Sequence, residues 1–185
     1  MRLVSINVGQ IGELLDGDRH VPSGFRKAAV TGPVRLLADH LDGDVQADRR
    51  VHGGDWKAVY AYPSEHYPFW KAQLPDFDFA WGSFGENLTT EGLSERDVHP
   101  GDLLRIGSAE LEITAPRQPC YKINLRFERS DMQRRFLVSG YSGFYLRVRR
   151  QGLLSAGDPI SLLPGATGQP SISQLFRPDH AFDAE

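Results

Sequence analysis

Glycine and proline interrupt this sequence along its whole length, 19 and 12 times in 185 residues. The apolar stretches between them are too short for long helices and suit short strands joined by tight turns. The clearest unit is Gly101 to Thr114. Leu103 to Ile106 and Ala109 to Thr114 flank Gly107-Ser108, a two-residue hairpin turn in which glycine supplies the positive φ. Leu111 and Ile113 take one face, Glu110, Glu112 and Thr114 the other. Gly157-Asp158 before Ile160 repeats the turn chemistry of Gly101-Asp102. Near the start, Val4, Ile6 and Val8 alternate with Leu3, Ser5 and Asn7 and predict a period-two strand. Ala58 to Tyr62 is β-branched and aromatic and ends at Pro63.

Helices are expected to be few and short. Ser64 is placed to cap one carrying Tyr67, Trp70 and Leu74, and Ser130 one from Asp131 to Val138 that Gly140 stops. A third is expected from Pro33 to Leu41, closed by Asp42-Gly43. The expected fold is mainly β, a closed barrel with a few short flanking helices. Residues 1–163 form the domain; 164–185 read as linker and tail, with one helical turn from Ser171 to Phe176.

The formal net charge of −3 gives no overall basic footprint for nucleic acid. No apolar run approaches the roughly 20 residues of a membrane-spanning helix, and the N-terminus lacks signal-peptide features. A single cysteine forms no intrachain disulfide, and a cytoplasmic protein is expected.

That cysteine lies in Pro116-Arg117-Gln118-Pro119-Cys120-Tyr121-Lys122, directly after the strong hairpin. Two prolines stiffen the segment, and flanking Arg117 and Lys122 favour a thiolate, which serves as a nucleophile or a soft-metal ligand. A solitary cysteine is equally at home as a small buried apolar group. His52-Gly53-Gly54 offers backbone donors for an anion and a hydrogen-bonding imidazole, or is an ordinary glycine turn. Arg26-Lys27 could meet a phosphate or lie on the solvated surface, and Gly85-Glu86-Asn87 alone is a turn. Nucleotide phosphate loops, His-Glu-x-x-His and Gly-x-Ser-x-Gly are all missing.

Taken in order, Lys27, Thr31-Gly32-Pro33, Val51-His52-Gly53-Gly54, Lys57 to Tyr62, Phe84 to Leu88, Gly101-Asp102, Arg117 to Lys122 and Gly140 to Val148 resemble a MOSC domain. This is the C-terminal domain type of molybdenum-cofactor sulfurases. The resemblance runs from about Arg2 to Leu163 and is nearest to the stand-alone bacterial, YiiM-like type. It implies a barrel related to the pyruvate-kinase β-barrel and a molybdenum cofactor, a pterin dithiolene bearing a phosphate. It implies Cys120 as the molybdenum ligand, with His52, Asn87 and Glu86 as catalytic candidates. Lys27, Gly53, Gly54, Arg117, Lys122 and Arg147 would bind the cofactor. The implied activity is reduction of N-hydroxylated compounds, of the 6-hydroxylaminopurine kind, with electrons from a separate reductase. The alternatives are a carrier of sulfur on Cys120 or of the cofactor itself, and a barrel that serves only as an interaction surface. Pyridoxal phosphate is associated with the family, yet Lys27, Lys57, Lys71 and Lys122, the only lysines, offer no Schiff-base context. Trp56 stands where related chains usually have a Pro-Asp-like pair and is expected to reshape the pocket wall. Relatives of this type continue into a small C-terminal helical domain, whereas this chain ends soon after Phe176.

Overall fold

The computed structural model describes residues 1–45 and 55–176. Twelve strands are found among them: β1 (Arg2–Val8), β2 (Gly12–Asp16), β3 (Arg19–Ser23), β4 (Ala28–Ala29), β5 (Val34–Leu36), β6 (Val59–Pro63), β7 (Leu88–Glu91), β8 (Leu103–Ile106), β9 (Ala109–Pro116), β10 (Phe144–Arg150), β11 (Gly152–Leu154) and β12 (Ile160–Leu163). Four short α-helices accompany them: α1 (Tyr67–Gln73), α2 (Lys122–Phe127), α3 (Met132–Ser139) and α4 (Ile172–Leu175). The fold is mainly β. None of these helices is long and apolar enough to cross a membrane.

The main sheet runs β12-β8-β9-β10-β6-β7-β1-β4. It is not the closed barrel expected from sequence. The start of β1 meets the turn before β12 through a single bridge, Arg2 opposite Pro159, and a few backbone hydrogen bonds such as Leu3 N to Asp158 O at 2.9 Å. From Ile160 onward β12 pairs with β8 instead, so no ladder forms across that seam.

Local sequence explains most elements. Ile106 pairs with Ala109 across Gly107-Ser108, and Gly107 has φ of 55°, the conformation the tight turn requires. Gly101 and Gly157 also have positive φ, and the following Asp102 and Asp158 accept backbone N–H groups of their turns. In β1 the strict alternation read from sequence is broken. A bulge between Leu3 and Ser5 shifts the register, so Leu3 and Ile6 share the core. Pro33 to Leu41 forms no helix: β5 pairs with β11, which buries Leu36. Ser64 opens a 3₁₀ turn without capping it, and Pro68 occupies the first turn of α1. Ser130 is likewise no cap; Asp131 precedes α3, and Gly140 closes it in the left-handed conformation. Ser171 and Gln174 form a reciprocal capping box on α4. That turn is not a free tail, because Ile172 is fully buried and its N–H donates to Val98 O at 2.9 Å.

Strand β6 divides two cores. Val59 and Ala61 face an aliphatic cluster with Leu88, Leu111, Ile113, Phe144 and Leu146. Tyr60 and Tyr62 face an aromatic cluster built with Tyr67, Trp70, Phe84, Phe127 and Phe136 from α1, α2, α3 and the loop before β7. Phe84 is the hub of the second. Its ring stacks on Tyr62 at 4.7 Å and meets Tyr67, Trp70 and Phe127 at 5.3–5.5 Å. A strand buried on both faces is fixed in position, and it delivers Tyr60 to the edge of the cavity described next.

Candidate functional site

Beyond β9 the chain runs through Arg117, Gln118 and Cys120 into α2, and these residues form one wall of a cavity with Lys122. Ser23, Gly24, Phe25 and Lys27, from the connection between β3 and β4, form a second wall. Asp44, Val45, Lys57, Tyr60, Gly85, Asn87 and Tyr145 complete the lining among the described residues. The cavity encloses about 120 Å³. A single water needs only roughly 10–15 Å³ on that measure, so a ligand group fits, not one trapped solvent molecule.

Cys120 is half-buried on this lining, between the two basic residues that flank it in sequence. Arg117 is 7% exposed and held by rings, its guanidinium carbon 4.8 Å from the Tyr60 ring, 5.1 Å from Phe25 and 5.5 Å from Phe136. Stacking of this kind suits guanidinium and orients its donor fork. Burial works against the Arg117 charge, but Tyr60, Tyr145 and Cys120 outweigh it, so the group holds its proton more firmly than usual. Its Nη1 is buried with no hydrogen-bond partner among the described residues. An unsatisfied buried donor costs about 1–3 kcal/mol and more when charged, and an acceptor entering the cavity would recover it.

Across the cavity, Lys27 and Asp44 make a buried ion pair with side chains 7% and 1% exposed. Asp44 also accepts from Gly9 N at 2.9 Å and from Asn87 Nδ2 at 2.8 Å. Burial pushes the Lys27 ammonium towards giving up its proton, and Asp44 partly restores it. Asn87 is therefore committed to the scaffold: its Oδ1 accepts from Tyr60 N at 3.1 Å while its Nδ2 holds Asp44. It lines the cavity as a positioning residue, whereas the resemblance implies a catalytic one.

Other expected site residues lie elsewhere. Glu86 is fully buried and does not line the cavity. Its carboxylate accepts from Tyr67 OH, Gly82 N at 2.8 Å, Phe84 N at 3.1 Å and Thr89 Oγ1 at 3.0 Å. It clasps the loop before β7, and burial raises its pKa against those hydrogen bonds. Glu86 is thus a structural carboxylate and not the catalytic candidate that the resemblance implies. Arg147 does not reach the cavity either. It donates to Glu112 at 2.7 Å and lies 4.5 Å from the Trp56 ring, on the far side of the alternation of β10 from Leu146. Trp56, 60% exposed, covers Arg147 and is no part of the cavity lining. His52, Gly53 and Gly54 lie outside the described residues.

Sequence reasoning missed Asp44, Tyr60, Tyr145, Phe25 and Lys57 as cavity residues. The lining thus carries four cationic side chains, Lys27, Lys57, Arg117 and Lys122, against one carboxylate, on a chain of net charge −3. Such a concentration of charge selects an anionic ligand. Among the described residues no three His, Cys, Asp or Glu side chains converge on a metal ion. A metal here would have to bring most of its own ligands and leave a position for a thiolate.

Comparison with known proteins agrees in fold and family. The MOSC domain profile matches residues 48–161. The chain is 38% identical over 174 residues to the Bacillus subtilis protein YflK, covering 94% of this chain and 77% of that protein. It is also 38% identical over 162 residues to Escherichia coli YiiM, covering 86% and 71%. A protein of Gibberella moniliformis named "Reductase" is 36% identical over 165 residues, covering 87% of this chain but 29% of that protein. The crystal structure of YiiM from Geobacillus stearothermophilus superposes with a TM-score of 0.75 at 35% identity, covering 93% and 80%.

Proposed function

The chain belongs to the MOSC domain family and is YiiM-like, and from that premise we propose that its cavity binds a molybdenum cofactor and reduces N-hydroxylated compounds. One observation carries the reading. A half-buried cysteine stands on a cavity lined, among the described residues, by four cations and one carboxylate, and the buried Nη1 of Arg117 has no hydrogen-bond partner among those residues. A phosphate-bearing pterin dithiolene fits that set. Its phosphate would satisfy Arg117 and Lys122 through charge-assisted hydrogen bonds, and its soft metal would take the Cys120 thiolate. When bound, the cofactor supplies two-electron redox chemistry that no side chain offers.

The protein's own residues do the rest. Arg117, gripped by three rings, presents a fixed positive charge with little reorganisation on binding. Pro119 stiffens the approach to Cys120, and Lys122 ties the start of α2 to the β2–β3 hairpin through Pro22 O at 2.9 Å. The Asp44–Asn87–Tyr60 chain of hydrogen bonds holds the opposite wall to β6. Electrons would come from a separate reductase, in keeping with the reductase name of one relative. We place this activity in the cytoplasm, where a single thiol stays reduced.

The test is elemental analysis of protein purified from a host that makes the cofactor, wild type beside Cys120→Ser. Near-stoichiometric molybdenum in the wild type and its loss in the variant supports the reading. Negligible molybdenum in both, with cofactor supply verified on a known molybdoenzyme, overturns it. In that case an added sulfur mass on Cys120, removed by dithiothreitol, would identify a sulfur carrier instead.

A further inference from the structure

Reduction of an N-hydroxyl group consumes protons as well as electrons, and among the described residues the cavity wall offers few groups able to give one. Arg117 holds its proton more tightly than a free guanidinium does. Tyr60 and Tyr145 are made weaker acids by burial, and the Tyr60 hydroxyl already donates to Ser142 O at 2.9 Å. Lys122 donates to Pro22 O and is assigned above to the cofactor's phosphate, and Lys57 sits 5.6 Å over the Tyr145 ring. Asn87 is bound into the scaffold and has no ionisable proton. Lys27 is different. Its ammonium lines the cavity, is nearly removed from bulk water, and carries three N–H donors, of which Asp44 takes one among the described residues.

We propose that Lys27, held by Asp44, is the proton donor to the leaving hydroxyl of the N-hydroxylated substrate; this rests on the function proposed above. The step balances. The N–O bond breaks, two electrons from the separate reductase reduce the nitrogen, and the hydroxyl departs as water carrying the Lys27 proton. A second proton from solvent completes the amine, and solvent then reprotonates Lys27. The charged groups acting on Lys27 are Asp44, in contact, and Glu86 behind it, both favouring the ammonium; Lys57 and Arg117 share its cavity. Burial outweighs the carboxylates and makes Lys27 a stronger acid than a solvated lysine.

Two measurements test this. In the first, the apo protein is carbamylated with cyanate across a pH series and the Lys27 peptide is quantified by mass spectrometry. Only the neutral amine, with its free lone pair, attacks the carbon of the isocyanic acid that cyanate supplies. Lys27 should react with a midpoint below that of free N-acetyl-lysine amide, and Asp44→Asn should move it lower still. A Lys27 midpoint at or above that of the free amide overturns the assignment. In the second, molybdenum-loaded Lys27→Arg is assayed. It keeps the charge but gives up no proton, so kcat should fall about 10²–10⁴-fold with KM and metal content changed little. Turnover within about fivefold of wild type in a loaded variant overturns the proposal and leaves the function standing. A wild type without molybdenum overturns the function and this proposal together. Should Lys27→Arg fail to fold, Asp44→Asn serves. The alkaline limb of its kcat profile should move to lower pH, and an unmoved limb refutes the role of Lys27.

Discussion

Gly143 is the position where backbone geometry can be set most sharply against packing. Its φ is +61°, and a Cβ placed there would lie 2.4 Å from Ala61 O, 2.7 Å from Tyr60 Cε2 and 2.9 Å from Tyr62 Cδ2. Gly140, three residues earlier, has φ of +73° and nothing within 4 Å of a Cβ. The two alanine variants therefore share a conformational penalty and differ in the clash. The left-handed conformation costs an alanine roughly 1–2 kcal/mol, so Gly140→Ala should lose about that much. Overpacking adds about 1–3 kcal/mol, which puts Gly143→Ala at about 2–5 kcal/mol. Urea denaturation of both variants beside wild type measures the difference. The clash also falls on Tyr60, the ring that grips Arg117, so affinity for inorganic pyrophosphate, read by calorimetry, should drop in Gly143→Ala and hold in Gly140→Ala. Equal destabilisation of the two within about 0.5 kcal/mol would refute the packing argument. Equal pyrophosphate affinity would refute the link from Gly143 to the cavity.

Three further outcomes follow from other parts of the fold. Phe84→Ala removes the hub of the aromatic cluster and should cost about 3–5 kcal/mol in the same assay, whereas a loss below about 1 kcal/mol would mean that the rings repack without it. Burial pushes the Glu112 pKa up, but hydrogen bonds from Arg147 and Arg149 outweigh it and leave it below 4.5. Its stabilisation is then full above about pH 4.5 and fades as pH falls through the depressed value. The stability gap between wild type and Glu112→Gln should accordingly narrow on acidification, and a constant gap would disprove the pairing. Ser171→Ala breaks the capping box of α4 and should lose about 0.5–2 kcal/mol in the melting curve, with no loss expected if α4 were held by Ile172 alone.

What could be read from sequence was what is decided locally. Gly107-Ser108 fixes a hairpin within two residues, and Gly140 stops a helix by its own conformation. Arg117, Cys120 and Lys122 were legible as one group because they are neighbours in the chain, and Lys27 as the second member of the Arg26-Lys27 basic pair. Asp44 was not. Its partners Gly9, Lys27 and Asn87 lie 35, 17 and 43 residues away, and Asp42-Gly43-Asp44 by itself looks like a helix end. Leu36 failed for a related reason: its strand exists because β11 arrives more than a hundred residues later to cover it. Glu86 carried a signal of the right position but the wrong role. Whether a carboxylate faces a cavity or a ring of backbone donors is settled by the loop's fold, which the tripeptide does not encode.

The seam beside β1 also bears on how the chain is made. Arg2 pairs with Glu91, 89 residues away, and Leu3 bonds to Asp158 still later. At a synthesis rate of about 5–20 residues per second, the end of β1 can pair with β4 early, but its start waits roughly 4–18 s for β7, and longer for the turn before β12. During that interval Leu3 and Ile6 lack Leu88 and every core partner that follows it in the chain. Such distant pairings place this fold among slow folders, and its yield at 37 °C should be governed by chaperone supply more than by final stability.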